Sequence, residues 1–258
     1  MKKLSSIYLT FTFVLLYIPI CYLIFYSFNK GGDMTGFTGF TLEHYQALFA
    51  DSRLMSILLQ TFVLAFLSAL FATVIGTFGA IYIHHVRKKY QNIILSTNNV
   101  LLVSPDVMIG ASFLILFTTF KFQLGMFSVL LSHIAFSIPI VVLMVLPRLK
   151  EMNQDMIHAA YDLGASQFQM LKEVMLPYLT PGIIAGYFMA FTYSLDDFAV
   201  TFFLTGNGFT TLSVEIYSRA RQGISLEINA LSTIVFFFSI LLVMGYYYIS
   251  QEKEEKHA

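Results

Sequence analysis

The sequence predicts an all-α, polytopic membrane protein, and two observations carry that prediction. Of the 258 residues, 57% are hydrophobic and only 12% are charged, whereas soluble domains carry about 25% charged residues. Six apolar stretches each reach the roughly 20 residues that a helix needs to cross a hydrocarbon core about 30 Å thick. Fifteen basic and fifteen acidic residues give a formal net charge of zero, which argues against a nucleic-acid-binding protein.

The six helices are predicted in chain order at about residues 7–28, 55–83, 93–118, 125–146, 182–204 and 231–249. Four of them contain no charged residue, the third contains Asp106, and the fifth contains Asp196 and Asp197. A basic N-terminus precedes the first stretch, as in a signal peptide, but no cleavage site of small residues follows it. We therefore expect a retained helix and a single transmembrane domain over residues 1–258.

The distribution of lysine and arginine orients these spans, because cytoplasmic loops are enriched in both. With the N-terminus inside, ten of these residues are internal and five are external. The internal ones are Lys2, Lys3, Arg87, Lys88, Lys89, Arg148, Lys150, Lys172, Lys253 and Lys256; the external ones are Lys30, Arg53, Lys121, Arg219 and Arg221. Both termini are thus predicted to be cytoplasmic, as is the long loop at about residues 147–181.

This long loop carries the most specific pattern in the sequence. Residues 154–163 and 166–175 are predicted to form two short helices that meet at a turn at Gly164, with Pro177 ending the second. Small side chains beside the turn would allow the close approach of a partner surface. The simpler interpretation is a surface hairpin that caps the helix bundle.

The loop resembles the cytoplasmic signature of the permease subunits of binding-protein-dependent ABC importers, which is E-A-A, three residues, G, nine residues, and I-x-L-P. His158 stands in place of the glutamate, and Val174 replaces the isoleucine. The resemblance implies the six-helix type I importer (MetI-like) fold and a coupling helix that docks on a separate ATPase. The residues it assigns to this coupling are His158, Ala159, Ala160, Asp162, Gly164, Ala165, Leu176 and Pro177.

Three aspartates inside the spans point to a cationic substrate. Asp106 lies at the middle of the third span, and Asp196 and Asp197 lie about 4–6 Å beyond the middle of the fifth. A carboxylate at the bilayer centre costs about 2.5–3.5 kcal/mol on insertion scales, so it tends to mark a pathway, and no lysine or arginine lies within a span to neutralise it. Pro105, just before Asp106, can break the helix there, and such breaks are tolerated where they line a cavity. Two alternatives remain: one aspartate caps a broken helix, or the pair is solvated in an outer vestibule.

Aromatic side chains flank the aspartate pair. Tyr193 and Phe198 would offer their faces to an ammonium group by cation–π attraction. His133, within the fourth span, is predicted to be a hydrogen-bonded packing residue rather than part of a proton relay.

Three segments sharpen the substrate assignment: Ser104-Pro105-Asp106, Leu195-Asp196-Asp197 and the loop from Ala160 to Ser166. They resemble the second permease subunit of bacterial spermidine/putrescine importers. The resemblance implies a polyamine substrate, a sister permease, a cytoplasmic ATPase dimer that binds ATP and Mg²⁺, and an extracytoplasmic polyamine-binding protein, all at the bacterial cytoplasmic membrane. The carboxylates independently favour a cation, so a permease for another cationic or small organic solute stays open.

The sequence lacks the short motifs of common catalytic sites. It has no P-loop, no H-E-x-x-H, no paired C-x-x-C and no G-x-S-x-G. We therefore expect no catalytic residues, no metal site and no cofactor in this chain. The rivals are a self-sufficient secondary carrier, against which the lack of an evident inverted repeat argues, and a membrane anchor or sensor subunit.

Overall fold

The computed structural model describes residues 2–206, 208–223 and 226–255, and in these the regular structure is helical apart from two isolated β-bridges. The helices are α1 (Lys2–Tyr26), α2 (Glu43–Ala50), α3 (Ser52–His85), α4 (Lys88–Val103), α5 (Asp106–Thr119), α6 (Met126–Glu151), α7 (Gln154–Asp162), α8 (Gln167–Gln169), α9 (Leu176–Asp196), α10 (Ala199–Leu204), α11 (Leu212–Gln222) and α12 (Leu226–Glu255); a π-helical segment, Met170–Met175, joins α8 to α9. Lys256, one of the predicted internal cations, lies outside the described residues.

Four helical stretches of the described chain are long and apolar enough to cross a membrane. They are Tyr8–Tyr26, Ser52–His85, Met126–Glu151 and Gln167–Asp196. The pair α4 and α5 forms a fifth if it is counted as one span bent by 104°, and the apolar part described for α12, Leu226–Leu241, is shorter. The number of six spans and the cytoplasmic position of both termini therefore stay predictions.

The third predicted span, residues 93–118, is not one helix. α4 ends at Val103 and α5 begins at Asp106, with Ser104 in an extended conformation (φ −68°, ψ 138°). Proline has no N–H to donate and disfavours helical geometry in the residue before it. Pro105 thus breaks the span next to Asp106, as its position had indicated.

The fifth predicted span, residues 182–204, has different limits in the structure. The helix is continuous from Gln167, and it stops at Asp196 because Asp197 is extended (φ −61°, ψ 125°). The short helix α10 follows after this second break.

The prediction of a loop at 147–181, with a helix ended by Pro177, is wrong in its details. α6 continues through Pro147 to Glu151, and the helix that begins at Gln167 passes through Pro177. The π-helical turn before this proline explains the continuity. Leu176 N–H donates to Leu171 O, five residues back, and this wider turn makes room for a ring that has no N–H of its own.

The described chain forms two compact units, one comprising the residues up to Ser56 with Glu215–Glu255, the other Ile57–Val214. In the first unit, α12 packs against α1 and α2. In the second, α6 and α9 form the largest helix contact. A Cβ at Gly182 would lie 3.0 Å from Met144 O, and one at Gly186 would lie 3.2 Å from Val141 Cγ1, so these glycines allow the two helices to approach closely.

Candidate functional site

The second unit has two helix breaks, one between α4 and α5 and one between α9 and α10. The helices that follow the breaks, α5 and α10, pack against each other. A Cβ at Gly110 of α5 would lie 2.9 Å from Phe203 Cδ2 and 3.0 Å from the Val200 Cα. Only glycine permits this approach. Ile109, Val200 and Leu204 belong to one buried apolar cluster of the unit, so the breaks rest on a packed core.

Asp106 and Tyr193 are brought together at these breaks. Asp106 is the first residue of α5, and the Tyr193 hydroxyl in the last turn of α9 donates a hydrogen bond of 2.8 Å to Asp106 Oδ1. The Tyr193 ring packs edge-on against Phe136 of α6, with centroids 5.0 Å apart. Asp106 itself is exposed, so its carboxylate is held in place while it stays accessible.

Asp196 and Asp197 have opposite environments although they are neighbours in the chain. The Asp196 residue is exposed, whereas the Asp197 side chain is 7% exposed. Asp197 Oδ2 accepts hydrogen bonds from the N–H and the hydroxyl of Thr201, at 2.8 and 2.7 Å. From two residues before α10, Asp197 thus caps the first turn of that helix. Capping of a broken helix was the alternative kept open for one of the three aspartates.

Phe198 and Tyr193 engage different rings. Phe198 is half-buried, and its ring lies 5.3 Å from that of Phe202, whereas Tyr193 packs on Phe136. The two residues predicted to form an aromatic cage thus lie on either side of the break in sequence, and each packs against a different phenylalanine ring.

A buried polar network surrounds the second break, and its partners were not found from the sequence. His133 is fully buried; its Nδ1 lies 2.7 Å from Ser194 Oγ and its Nε2 lies 3.0 Å from Thr201 Oγ1. Ser68 of α3 donates to Ser194 Oγ at 2.8 Å. His133 is hydrogen-bonded as expected. Its partners are more than 60 residues away in the sequence, and serines and threonines are too common in apolar helices for the sequence to have identified these two as partners.

The predicted coupling segment forms a helical hairpin of α7 and α8. Asn153 Oδ1 accepts a hydrogen bond from Asp155 N at the start of α7, and Ser166 and Gln169 form a reciprocal capping box at the start of α8. Gly164 has φ +83°, a left-handed conformation that glycine adopts without strain. The predicted turn, its glycine and its Ser166 cap are all present.

The surface of this hairpin is partly apolar. His158, Ala159, Asp162, Gly164 and Pro177 are exposed, whereas Ala160, Ala165 and Leu176 are half-buried. Two large apolar side chains that the sequence reasoning did not single out are the most exposed there: Leu163 at 89% and Phe168 at 70%. The hairpin thus presents two large exposed apolar side chains in addition to the residues predicted from the sequence.

An ionic cluster organises the first unit. Arg219 Nε lies 2.8 Å from Glu215 Oε1, and Arg219 Nη2 lies 3.1 Å from Asp51 Oδ2. The Leu54 N–H and the Arg219 guanidinium hold the pKa of Asp51 below its usual value. Asp51 therefore stays ionised near neutral pH and ties the start of α3 to α11.

Comparison with known proteins supports the importer fold. The chain matches the family described as binding-protein-dependent transport system inner membrane component over residues 72–253. A crystal structure of a bacterial ABC transporter involved in the import of the acidic polysaccharide alginate superposes with a TM-score of 0.76 at 17% identity, covering 96% of this chain and 94% of that one. This likeness confirms the predicted all-α permease fold.

Two curated relatives are more similar in sequence. The spermidine/putrescine transport system permease protein PotC of Escherichia coli (strain K12) is 37% identical over 252 residues, covering 98% of this chain and 96% of the relative. The putrescine transport system permease protein PotI of the same strain is 33% identical over 240 residues, covering 90% and 85%. The chain therefore belongs to the family of inner-membrane components of binding-protein-dependent transport systems.

Proposed function

We propose that this chain is one permease subunit of an ATP-driven importer of polyamines such as spermidine and putrescine. The observation that carries the proposal is that two broken spans pack together and that each has an accessible carboxylate at its break, Asp106 and Asp196. Helix breaks within the membrane are tolerated where they line a cavity, and carboxylates there attract cations. The polyamine systems named for the two relatives support the choice of cation.

The division of labour among the three aspartates follows from their environments. Asp106 and Asp196 are exposed and would bind protonated amines of the substrate for a short time. The Tyr193 hydroxyl would keep the Asp106 carboxylate in position. Tyr193 and Phe198 would supply aromatic faces at the rim. Asp197 is committed to the first turn of α10, so its contribution is to hold the break rather than to bind the substrate directly.

The exposed hairpin supports coupling to a separate ATPase. His158, Ala159, Ala160, Asp162, Gly164, Ala165, Leu176 and Pro177 would form or support the docking element, with Leu163 and Phe168 as its apolar contacts. A cytoplasmic ATPase dimer would bind ATP and Mg²⁺, while this chain would carry no catalytic residues and no cofactor. A sister permease would complete the path, and an extracytoplasmic binding protein would deliver the polyamine.

The test is uptake of radiolabelled spermidine by proteoliposomes that contain both permeases and the ATPase, with binding protein added on the substrate side. We expect Asp196→Asn to lower uptake about tenfold, because losing about 1.4 kcal/mol of charge attraction is a factor of ten. Glu151→Gln is the matched control, since Glu151 is an exposed carboxylate at the end of α6, and it should leave uptake unchanged.

Three results would contradict parts of this proposal. Full uptake in Asp196→Asn would remove that carboxylate from the path. Uptake of another cationic solute but not of spermidine or putrescine would replace the substrate. Uptake that continues when the ATPase is omitted would favour a self-sufficient carrier.

A further inference from the structure

His133 joins the two sides of the break between α9 and α10. Its ring is fully buried in α6, with Nδ1 2.7 Å from Ser194 Oγ in the last turn of α9. On its other side, Nε2 lies 3.0 Å from Thr201 Oγ1 and 3.3 Å from Asp197 Oδ2. One imidazole therefore bridges the end of one helix and the first turn of the next.

The hydrogen bonds around Asp197 assign the proton on this ring. The Thr201 hydroxyl donates its one proton to Asp197 Oδ2 at 2.7 Å, so Thr201 Oγ1 must accept from His133. Nε2 is then the protonated nitrogen, and it faces both Thr201 Oγ1 and the carboxylate. A carboxylate that is 7% exposed needs such donors, because burying an unpaired charge is costly.

The opposite nitrogen is satisfied through a chain of hydroxyls. Ser68 Oγ donates to Ser194 Oγ at 2.8 Å and lies 3.1 Å from Ala65 O. The Ser194 hydroxyl is thereby left to donate to His133 Nδ1. This series of hydrogen bonds runs from α3 to α9, then to α6 and α10, and every donor points the same way along it. Each bond is directional, so a shift of the break would leave a buried polar group unpaired, at a cost larger than the bond itself.

We propose that His133 is a positioning residue of the transport path: by bridging Ser194 and Asp197 it fixes the α9–α10 break and so directs the adjacent Asp196 carboxylate. The role of that carboxylate in cation binding rests on the proposed function, but the placement of residue 196 by His133 does not. His133 touches no substrate and acts through Asp197. Its charged neighbour is Asp197, with Nε2 3.3 Å from Oδ2. Among the titratable groups of α9, Tyr193 contacts the same Phe136 ring that His133 contacts.

The test measures access to residue 196 directly. In a chain with Cys21→Ser and Asp196→Cys, assembled with its partners in membrane vesicles, the introduced thiol would be labelled with 2-aminoethyl methanethiosulfonate, a small cation. His133→Gln can place an amide donor near the Nε2 position, whereas His133→Asn reaches only the Nδ1 position. Ser132→Ala is the control, because Ser132 is buried beside His133 but donates to Ser128 O within its own helix.

We expect His133→Asn to slow labelling about tenfold, the effect of losing a hydrogen bond to a charged group. His133→Gln should stay within about threefold of the unsubstituted chain, since the Asp197 contact survives. Ser132→Ala should change nothing. Ser194→Ala removes the bond to Nδ1 and the bond from Ser68 but leaves both contacts of Nε2. It should slow labelling by a smaller factor, which keeps the test decisive if His133→Asn fails to assemble.

Two results would overturn the proposal: unchanged labelling in both His133→Asn and Ser194→Ala, or equal slowing by the glutamine and asparagine variants, which would mean that the ring only fills space. The second readout is spermidine carried per ATP hydrolysed with Asp196 restored, which should fall in His133→Asn while ATP hydrolysis persists. If labelling follows the expected order but the complex with Asp196 restored carries no spermidine, the proposed function is refuted and the positioning role stays intact.

Discussion

Two neighbouring residues, Asp196 and Asp197, have identical side chains but different roles, because one is exposed and the other is buried. The exposed carboxylate is available to a cation, whereas the buried one accepts two hydrogen bonds from Thr201. The sequence placed both in one span and counted them as one site. It could not divide them, because the division depends on a threonine four residues later and a histidine on another helix.

Asp106 offers a test of charge against hydrogen bonding at a single position. Asparagine at 106 still accepts the bond from Tyr193 but carries no charge, whereas alanine loses both. If the Asp106 charge attracts the cationic substrate, Asp106→Asn should lower spermidine uptake about tenfold, since ~1.4 kcal/mol corresponds to a factor of ten. Asp106→Ala should lower uptake at least as much. Uptake retained by asparagine and lost by alanine would assign Asp106 a structural role only. Tyr193→Phe, which breaks the same bond of 2.8 Å and keeps the charge, isolates the hydrogen bond itself.

At the scale of the helices, the contact between α5 and α10 holds the two breaks together, and it depends on Gly110. In Gly110→Ala, the new Cβ would meet the Val200 Cα at 3.0 Å and Ala199 O at 3.1 Å. Backbone atoms cannot move aside as a flexible side chain can. We expect a loss of about 1–3 kcal/mol in stability, the usual cost of overpacking, measured as a lower Tm of the purified complex in detergent.

Gly79→Ala is the matched control for this contact. Gly79 also lies within a helix, but the nearest atom to a Cβ there is Val142 Cγ2 at 3.9 Å. Because alanine is the better helix former by up to ~1 kcal/mol, Gly79→Ala should keep or raise the Tm. Equal effects of the two variants would show that α5 and α10 are not held by close packing at Gly110.

The helices could be predicted from the sequence more reliably than their breaks. Apolar length located most of the spans, and Pro105 marked the first break because it stands within an apolar run beside a carboxylate. Pro177 led to the wrong prediction of a helix end. A π-helical turn before it allows the helix to continue, and no sequence pattern indicated that turn. The break after Asp196 carries no proline or glycine. It depends on capping by Asp197, a tertiary contact with His133, and packing of α10 on α5.

At the scale of the whole molecule, this multi-pass inner-membrane protein places its two predicted functional regions on one continuous helix. The stretch Gln167–Asp196 begins with α8, the second helix of the exposed hairpin, and ends at the second break. At 1.5 Å per residue it is about 45 Å long. Had Pro177 ended the helix, the hairpin and the carboxylates would belong to separate elements. Under the proposed function, movement of the hairpin would instead be transmitted along this continuous helix to Asp196 and Tyr193.

The exposed hairpin should therefore be needed by the complex but not by the fold of this chain. Leu163 is 89% exposed, so Leu163→Ser loses almost no burial in the isolated subunit and its Tm should not change. Docking of an apolar side chain of this size contributes about 1.5–3 kcal/mol, so the variant should retain at least tenfold less ATPase on affinity purification. Phe120→Ser is the control, because Phe120 is 75% exposed at the end of α5, on the predicted external side of the membrane, and should retain the ATPase. Full retention by Leu163→Ser would show that the ATPase does not dock on this turn.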